Sequence, residues 1–88
     1  MGRTAQIEVQ EVGERRYEVT VDEFVSARDF TVTIQEAYYV QFAQGRTPEQ
    51  FIQDAFRFLL TREPKESILK EFDIGDIKGY FPEFEKEI

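Results

Sequence analysis

Among the side chains able to do chemistry, carboxylates dominate and their usual catalytic companions are missing. The chain has no histidine and no cysteine, which removes the commonest general base, the thiolate nucleophile and the two commonest transition-metal ligands. Ser26 and Ser67, the two serines, therefore have no imidazole to activate them. Glycines stand at positions 2, 13, 45, 75 and 79, with no spacing that cradles phosphate. Asp73 and Asp76 could share a hard cation, but two carboxylates without a glycine-fixed loop make a weak site. A helix cap followed by an acid in the first turn is the simpler reading of that pair. No catalytic residue, cofactor or metal is expected, and the chain is not expected to be an enzyme.

Aromatic residues are the second resource, nine Phe and four Tyr. Tyr38 and Tyr39 could stack on a ligand, but neighbours on a helix point about 100° apart, so one of them belongs to the core. Tyr80, Phe81 and Phe84 lie in an end segment too apolar for a free tail and too short for its own core. They either dock on the domain or hook a partner groove. These five, Tyr38, Tyr39, Tyr80, Phe81 and Phe84, are the candidate partner contacts. The basic pair Arg15-Arg16 reads as a solvated hairpin loop.

At 88 residues the chain is long enough for one core and too short for two. Hydrophobic residues make up 41% and charged ones 33%, the composition of a folded domain. The formal net charge is −7. Residues 1–46 hold 5 basic against 8 acidic side chains (−3), and residues 47–88 hold 6 against 10 (−4), so there is no basic lobe. Such a field repels nucleic acid and anionic lipid and favours basic partners. Absence of cysteine, of an apolar leader and of any apolar run near the ~20 residues needed to cross a bilayer leads to a cytoplasmic protein with no membrane contact as the expectation.

Period-two alternation defines the elements that carry these residues first. Ala5, Ile7 and Val9 alternate with Gln6, Glu8 and Gln10, and Tyr17, Val19 and Val21 alternate with Glu18, Thr20 and Asp22. A two-residue turn at Gly13-Glu14 would place Val9 opposite Glu18. An odd-length, bulged loop Gly13-Glu14-Arg15 instead pairs Val9 with Val19, Ile7 with Val21 and Glu11 with Tyr17. After a connection over residues 23–29, Phe30, Val32 and Ile34 form the inner face of a third strand. The expected sheet is a three-stranded antiparallel meander, about 5–12, 16–22 and 29–34.

From residue 35 onward the periodicity is helical. Tyr38 and Phe42 are one turn apart before Gly45, giving a short helix at about 35–44, with strand continuation as the alternative. Thr47, Pro48 and Gln50 form a capping box with proline at the first helical position. Apolar residues at 51, 52, 55, 56, 58, 59 and 60 give the helix at about 47–62 a wide buried arc. Its polar strip offers an Asp54–Arg57 pair. Pro64 ends it. The spacing of Ile68, Leu69 and Phe72 predicts a helix at about 65–72, and Asp73 caps another at about 74–79. The fold class is α+β, a meander followed by helices packed on one of its faces.

The segment Phe58-Leu59-Leu60-Thr61-Arg62-Glu63-Pro64-Lys65-Glu66-Ser67-Ile68-Leu69-Lys70-Glu71-Phe72, with Tyr80-Phe81-Pro82 beyond it, resembles a family of small uncharacterised bacterial proteins over roughly residues 47–88. The resemblance implies a bacterial, cytoplasmic origin and no activity or site residues.

By subtraction, the leading expectation is a small acidic non-enzymatic protein-interaction module, an adaptor or neutralising partner. It would contact an unknown protein partner, or a second copy, through a sheet edge or an aromatic patch. The alternative is a DNA-binding regulator or antitoxin of ribbon-helix-helix type, suggested by a strand followed by two helices. The acidic charge and the uncharged Thr31 and Thr33 speak against it.

Overall fold

The computed structural model describes residues 5–88. The sequence features that spoke against an export leader fall largely at positions 1–4, outside the described residues.

Strands β1 (Gln6–Gly13), β2 (Arg16–Asp22) and β3 (Ala27–Thr33) form the antiparallel meander. Val9 pairs with Val19, Ile7 with Val21 and Glu11 with Tyr17, the register that side-chain parity demanded. The turn itself is shorter than expected. Gly13 pairs with Arg16, leaving Glu14-Arg15 as the loop, and the extra residue is absorbed as a bulge between Glu11 and Gly13. Arg15 takes the left-handed conformation at φ 53°. β3 begins at Ala27, two residues earlier than the alternation showed, because Asp22 and Ala27 still pair across the turn.

Parity puts Tyr17, Val19, Val21, Phe30 and Val32 on one face, all buried, together with Ile7. Helix α1 (Glu36–Phe42) follows, and α2 (Pro48–Leu60) packs across that face. The capping box at Thr47 is complete. Thr47 Oγ1 accepts from the Gln50 backbone N–H at 3.2 Å, and the Gln50 side chain accepts from the Thr47 N–H at 3.1 Å. Phe51, Ile52, Ala55, Phe56, Phe58 and Leu59 are buried, the wide arc seen in the sequence. Asp54 does not pair with Arg57. It accepts from Arg46 at 2.9 Å, because the α1–α2 turn, through Gly45 at φ 86°, swings Arg46 back over the start of α2.

The expected helix at 65–72 does not form. A single 3₁₀ turn occupies Lys65–Ser67, Ile68 is extended (φ −78°, ψ 135°), and Glu71–Asp73 is a strand, β4. β4 pairs in parallel with β3, Thr31 opposite Glu71 and Thr33 opposite Asp73, and makes the sheet four-stranded in the order β1-β2-β3-β4. Phe72 and Ile74 then lie on the core side, while Glu71 and Asp73 join the opposite face. A 3₁₀ turn Ile74–Asp76 leads into α3 (Ile77–Tyr80), and α4 (Phe84–Glu87) closes the described chain.

Aromatic pairs join the layers. Phe56 lies between Phe30 of β3 at 5.2 Å and Phe72 of β4 at 5.8 Å, centroid to centroid. Phe58 meets Phe81 at 6.1 Å and Phe84 at 5.0 Å. Among the described residues the outer face of the sheet carries six strand carboxylates, Glu8, Glu18, Asp22, Asp29, Glu71 and Asp73, against one strand cation, Arg16.

Candidate functional site

Where the end of α2 meets β4 and α3, the chain leaves a cleft of about 200 Å³. Leu59 supplies one wall from α2, Ile68 and Leu69 another from the extended segment, and Phe72 its base from β4. Ile77, Tyr80 and Phe81 complete the lining. The cleft depends on β4. A helix over 65–72 would have turned Leu69 inward beside Ile68 and Phe72, whereas the extended backbone sends alternate residues to opposite sides. Ile68 is buried and Leu69 is 56% exposed. Tyr80, also in the lining, is 68% exposed.

Two acids stand at the rim, Glu63 and Asp76. Among the described residues neither has a cation within ion-pair distance, in contrast to Glu66, Glu83 and Glu87, which are all paired. The wall behind Phe81 is braced. Arg62 lies 3.7 Å from the Phe58 ring centroid and donates to Glu83 and Glu87 at 2.9 Å each. The hydrogen bond that Arg62 donates to Glu83 holds the Glu83 carboxyl below its ordinary value and raises that of the Arg62 guanidinium.

The sequence-derived candidates separate into two groups. Tyr80 and Phe81 line the cleft. Phe84 is fully buried under Phe58, so the terminal segment docks on the domain. Tyr38 and Tyr39 are half-buried and packed. Tyr38 donates to Glu85 at 3.1 Å, and its pKa is pushed well above 10.0, first by burial and then by that carboxylate. Tyr39 donates to the Arg46 carbonyl and meets Phe51 edge-on. Sequence reasoning missed Leu69, Phe72, Ile77, Glu63 and Asp76. The signal for Phe72 was present in Glu71-Phe72-Asp73-Ile74, a period-two alternation overshadowed by the helical spacing before it.

Both carboxylate oxygens of Asp73 are engaged within the fold. One oxygen accepts from Thr33 Oγ1 at 2.7 Å and the other from the Gly75 N–H at 3.0 Å, so it clamps β4 to β3 and caps the next turn. Among the described residues no group of three or more acids could hold a metal ion. Arg15 lies near Glu14 and Glu36 at 3.5 and 3.7 Å, and Arg16 near Glu71 at 3.4 Å.

A second, open groove carries Arg46, Arg57 and Arg62, but the first and third are engaged by Asp54, Glu83 and Glu87. Arg46 also donates to the carbonyls of Phe42, Ala43 and Ile88, a role in joining chain segments. Among the described residues no helix is long and apolar enough to cross a membrane.

Comparisons with protein families, with characterised proteins and with solved structures return no match.

Proposed function

We propose that this chain is an acidic protein-interaction module whose cleft seats one apolar side chain from a basic segment of a partner protein. Glu63 and Asp76, acids with no cation partner among the described residues, beside an apolar cleft carry this reading. At about 200 Å³ the cleft lies below the roughly 300–1,000 Å³ of small-molecule sites and suits a single Leu- or Phe-sized anchor. Its lips, Leu69 and Tyr80, are the exposed apolar residues such an anchor would cover. Flanking Lys or Arg would meet the rim acids and, at longer range, the net charge of −7.

The ribbon-helix-helix alternative needs β3 free to pair with a second copy. Here β3 is hydrogen-bonded to β2 on one side and β4 on the other, which favours the interaction module.

Titration of isotope-labelled protein with the peptide Lys-Lys-Leu-Lys-Lys, followed by NMR, tests the proposal. Shifts should concentrate at Leu69, Ile77 and Tyr80, and the joint Glu63→Gln, Asp76→Asn variant should weaken binding about tenfold. Equal binding of Glu-Glu-Leu-Glu-Glu, or shifts confined to other surfaces, would overturn it.

A further inference from the structure

β1 is an outer strand of the sheet, and one contact reveals which of its backbone groups point outward. Gln53 of α2 donates its side-chain amide to the Ile7 carbonyl at 2.6 Å. In an antiparallel pair, residues alternate between bonding the neighbouring strand and pointing away from it. With Ile7 pointing away, Gln6, Glu8 and Gln10 bond β2, while Val9 and Glu11 share the outward orientation of Ile7. Gln53 occupies one outward carbonyl. Among the described residues the N–H of Ile7 and both backbone groups of Val9 and of Glu11 have no strand beyond them.

We propose that this edge accepts an extended segment of a partner protein, added as a fifth strand and carrying Lys or Arg at alternate positions. Backbone groups supply the pairing and side chains the selectivity. The alternate positions of an added strand would lie beside Glu8 and Gln10, on the face where six strand carboxylates face one strand cation. The intervening residues would meet Val9, which is partly buried against the core. Two features bound the added strand. Gln53 closes the edge at Ile7, and the bulge between Glu11 and Gly13 ends the regular ladder.

Charge also decides against a second copy as occupant. Two β1 edges meeting antiparallel about Val9 would set the Glu8 carboxylates of the two chains diagonal to each other on the acidic face, in a pair already carrying −7 per chain. This inference is independent of the cleft, because no β1 residue lines it.

The experiment measures amide hydrogen exchange in the full chain with and without the peptide Lys-Val-Lys-Val-Lys. Val9 and Glu11 amides should slow about tenfold or more, and a peptide N-methylated on its inward-facing amides should bind at least about tenfold more weakly. Glu11→Pro deletes an outward N–H without touching the bonds to β2 and should abolish the protection. Leu69→Lys, in the cleft, should leave it unchanged. Unaltered exchange at Val9 and Glu11, or equal binding of the N-methylated peptide, overturns the proposal, as does dimerisation that protects these amides without peptide. The N-methylated peptide keeps the test valid on the native chain even if Glu11→Pro fails to fold.

Discussion

Replacing Phe56 by Ala should remove about a quarter or more of the stability of the domain. Phe56 is fully buried and touches both Phe30 and Phe72, so it joins α2 to an antiparallel strand and a parallel one at once. Truncating a buried Phe costs about 3–5 kcal/mol, from lost transfer energy and the cavity left behind. Loss of its ring pairs lies within that range, and the better helix propensity of Ala returns only about 0.5 kcal/mol. A chain of 88 residues at the usual per-residue value holds roughly 4–13 kcal/mol in total. The variant should therefore lose from about a quarter to all of its stability, with its urea midpoint lowered in the same proportion. Urea titration followed by far-ultraviolet circular dichroism and tyrosine fluorescence measures it, with exposed Arg57→Ala as a control expected within about 0.5 kcal/mol. A cost below about 1.5 kcal/mol at unchanged denaturant slope would refute the placement of Phe56 between the two strands. In a double-mutant cycle, Phe56→Leu and Phe72→Leu should couple by about 0.5–1.5 kcal/mol, and zero coupling would have the same force.

Further expectations concern single contacts. Asp73→Ala should cost about 1–3 kcal/mol, since it unties Thr33 and uncaps the Gly75 N–H, and Asp73→Asn should cost less; equal loss in both, by denaturant titration, would contradict the clamp. Leu69→Ala should change stability by less than about 0.5 kcal/mol because the side chain is largely exposed, and a midpoint shift as large as that of Ile68→Ala would show that the segment is helical after all. Glu66 and Glu83 have folded pKa values lowered by Lys65 and Arg62, so their contribution is complete above 4.5 and is lost as pH falls through the lowered values. A melting temperature that does not drop on acidification below that point would contradict these pairs. Tyr17 and Tyr38 have values raised chiefly by burial, and Lys65 by its hydrogen bonds to Glu23 and Glu66. Their contributions are complete below 10.0 and 10.5 and vanish as pH rises through the raised values, which an alkaline melting series can follow.

The meander and α2 were legible in the sequence because their determinants are local. Parity alone fixed Val9 opposite Val19, and Thr47, Pro48 and Gln50 fixed the start of α2. β4 was not legible in the same way. Ile68, Leu69 and Phe72 satisfy a helical spacing, but the backbone there answers to β3, whose Thr31 N–H donates to the Lys70 carbonyl at 2.8 Å. No local period reports a partner so distant in the chain. Lys65 is a similar case, a lysine 3% exposed between Glu23 and Glu66 at 2.7 and 2.8 Å, where composition leads one to expect a solvated side chain. The cleft follows from the same distant pairing, so Tyr80 and Phe81 could be named from the sequence while Leu69, Phe72 and the rim acids could not.

The parallel pairing of β3 and β4 joins Thr33 to a residue 40 positions away. Closing a loop of that length costs more chain entropy than closing the hairpins, and its reversal is the sub-global opening to be expected of this fold. Leu69, Phe72, Ile77 and Tyr80 would leave with β4, so the cleft exists only while the loop is shut. Occupancy and loop closure are then one linked equilibrium. A ligand at a hundredfold excess over its dissociation constant would hold the loop shut by about 2.7 kcal/mol. The Thr31 amide, more than any residue in the cleft, is where that clamping can be timed, as a slowing of exchange of about a hundredfold.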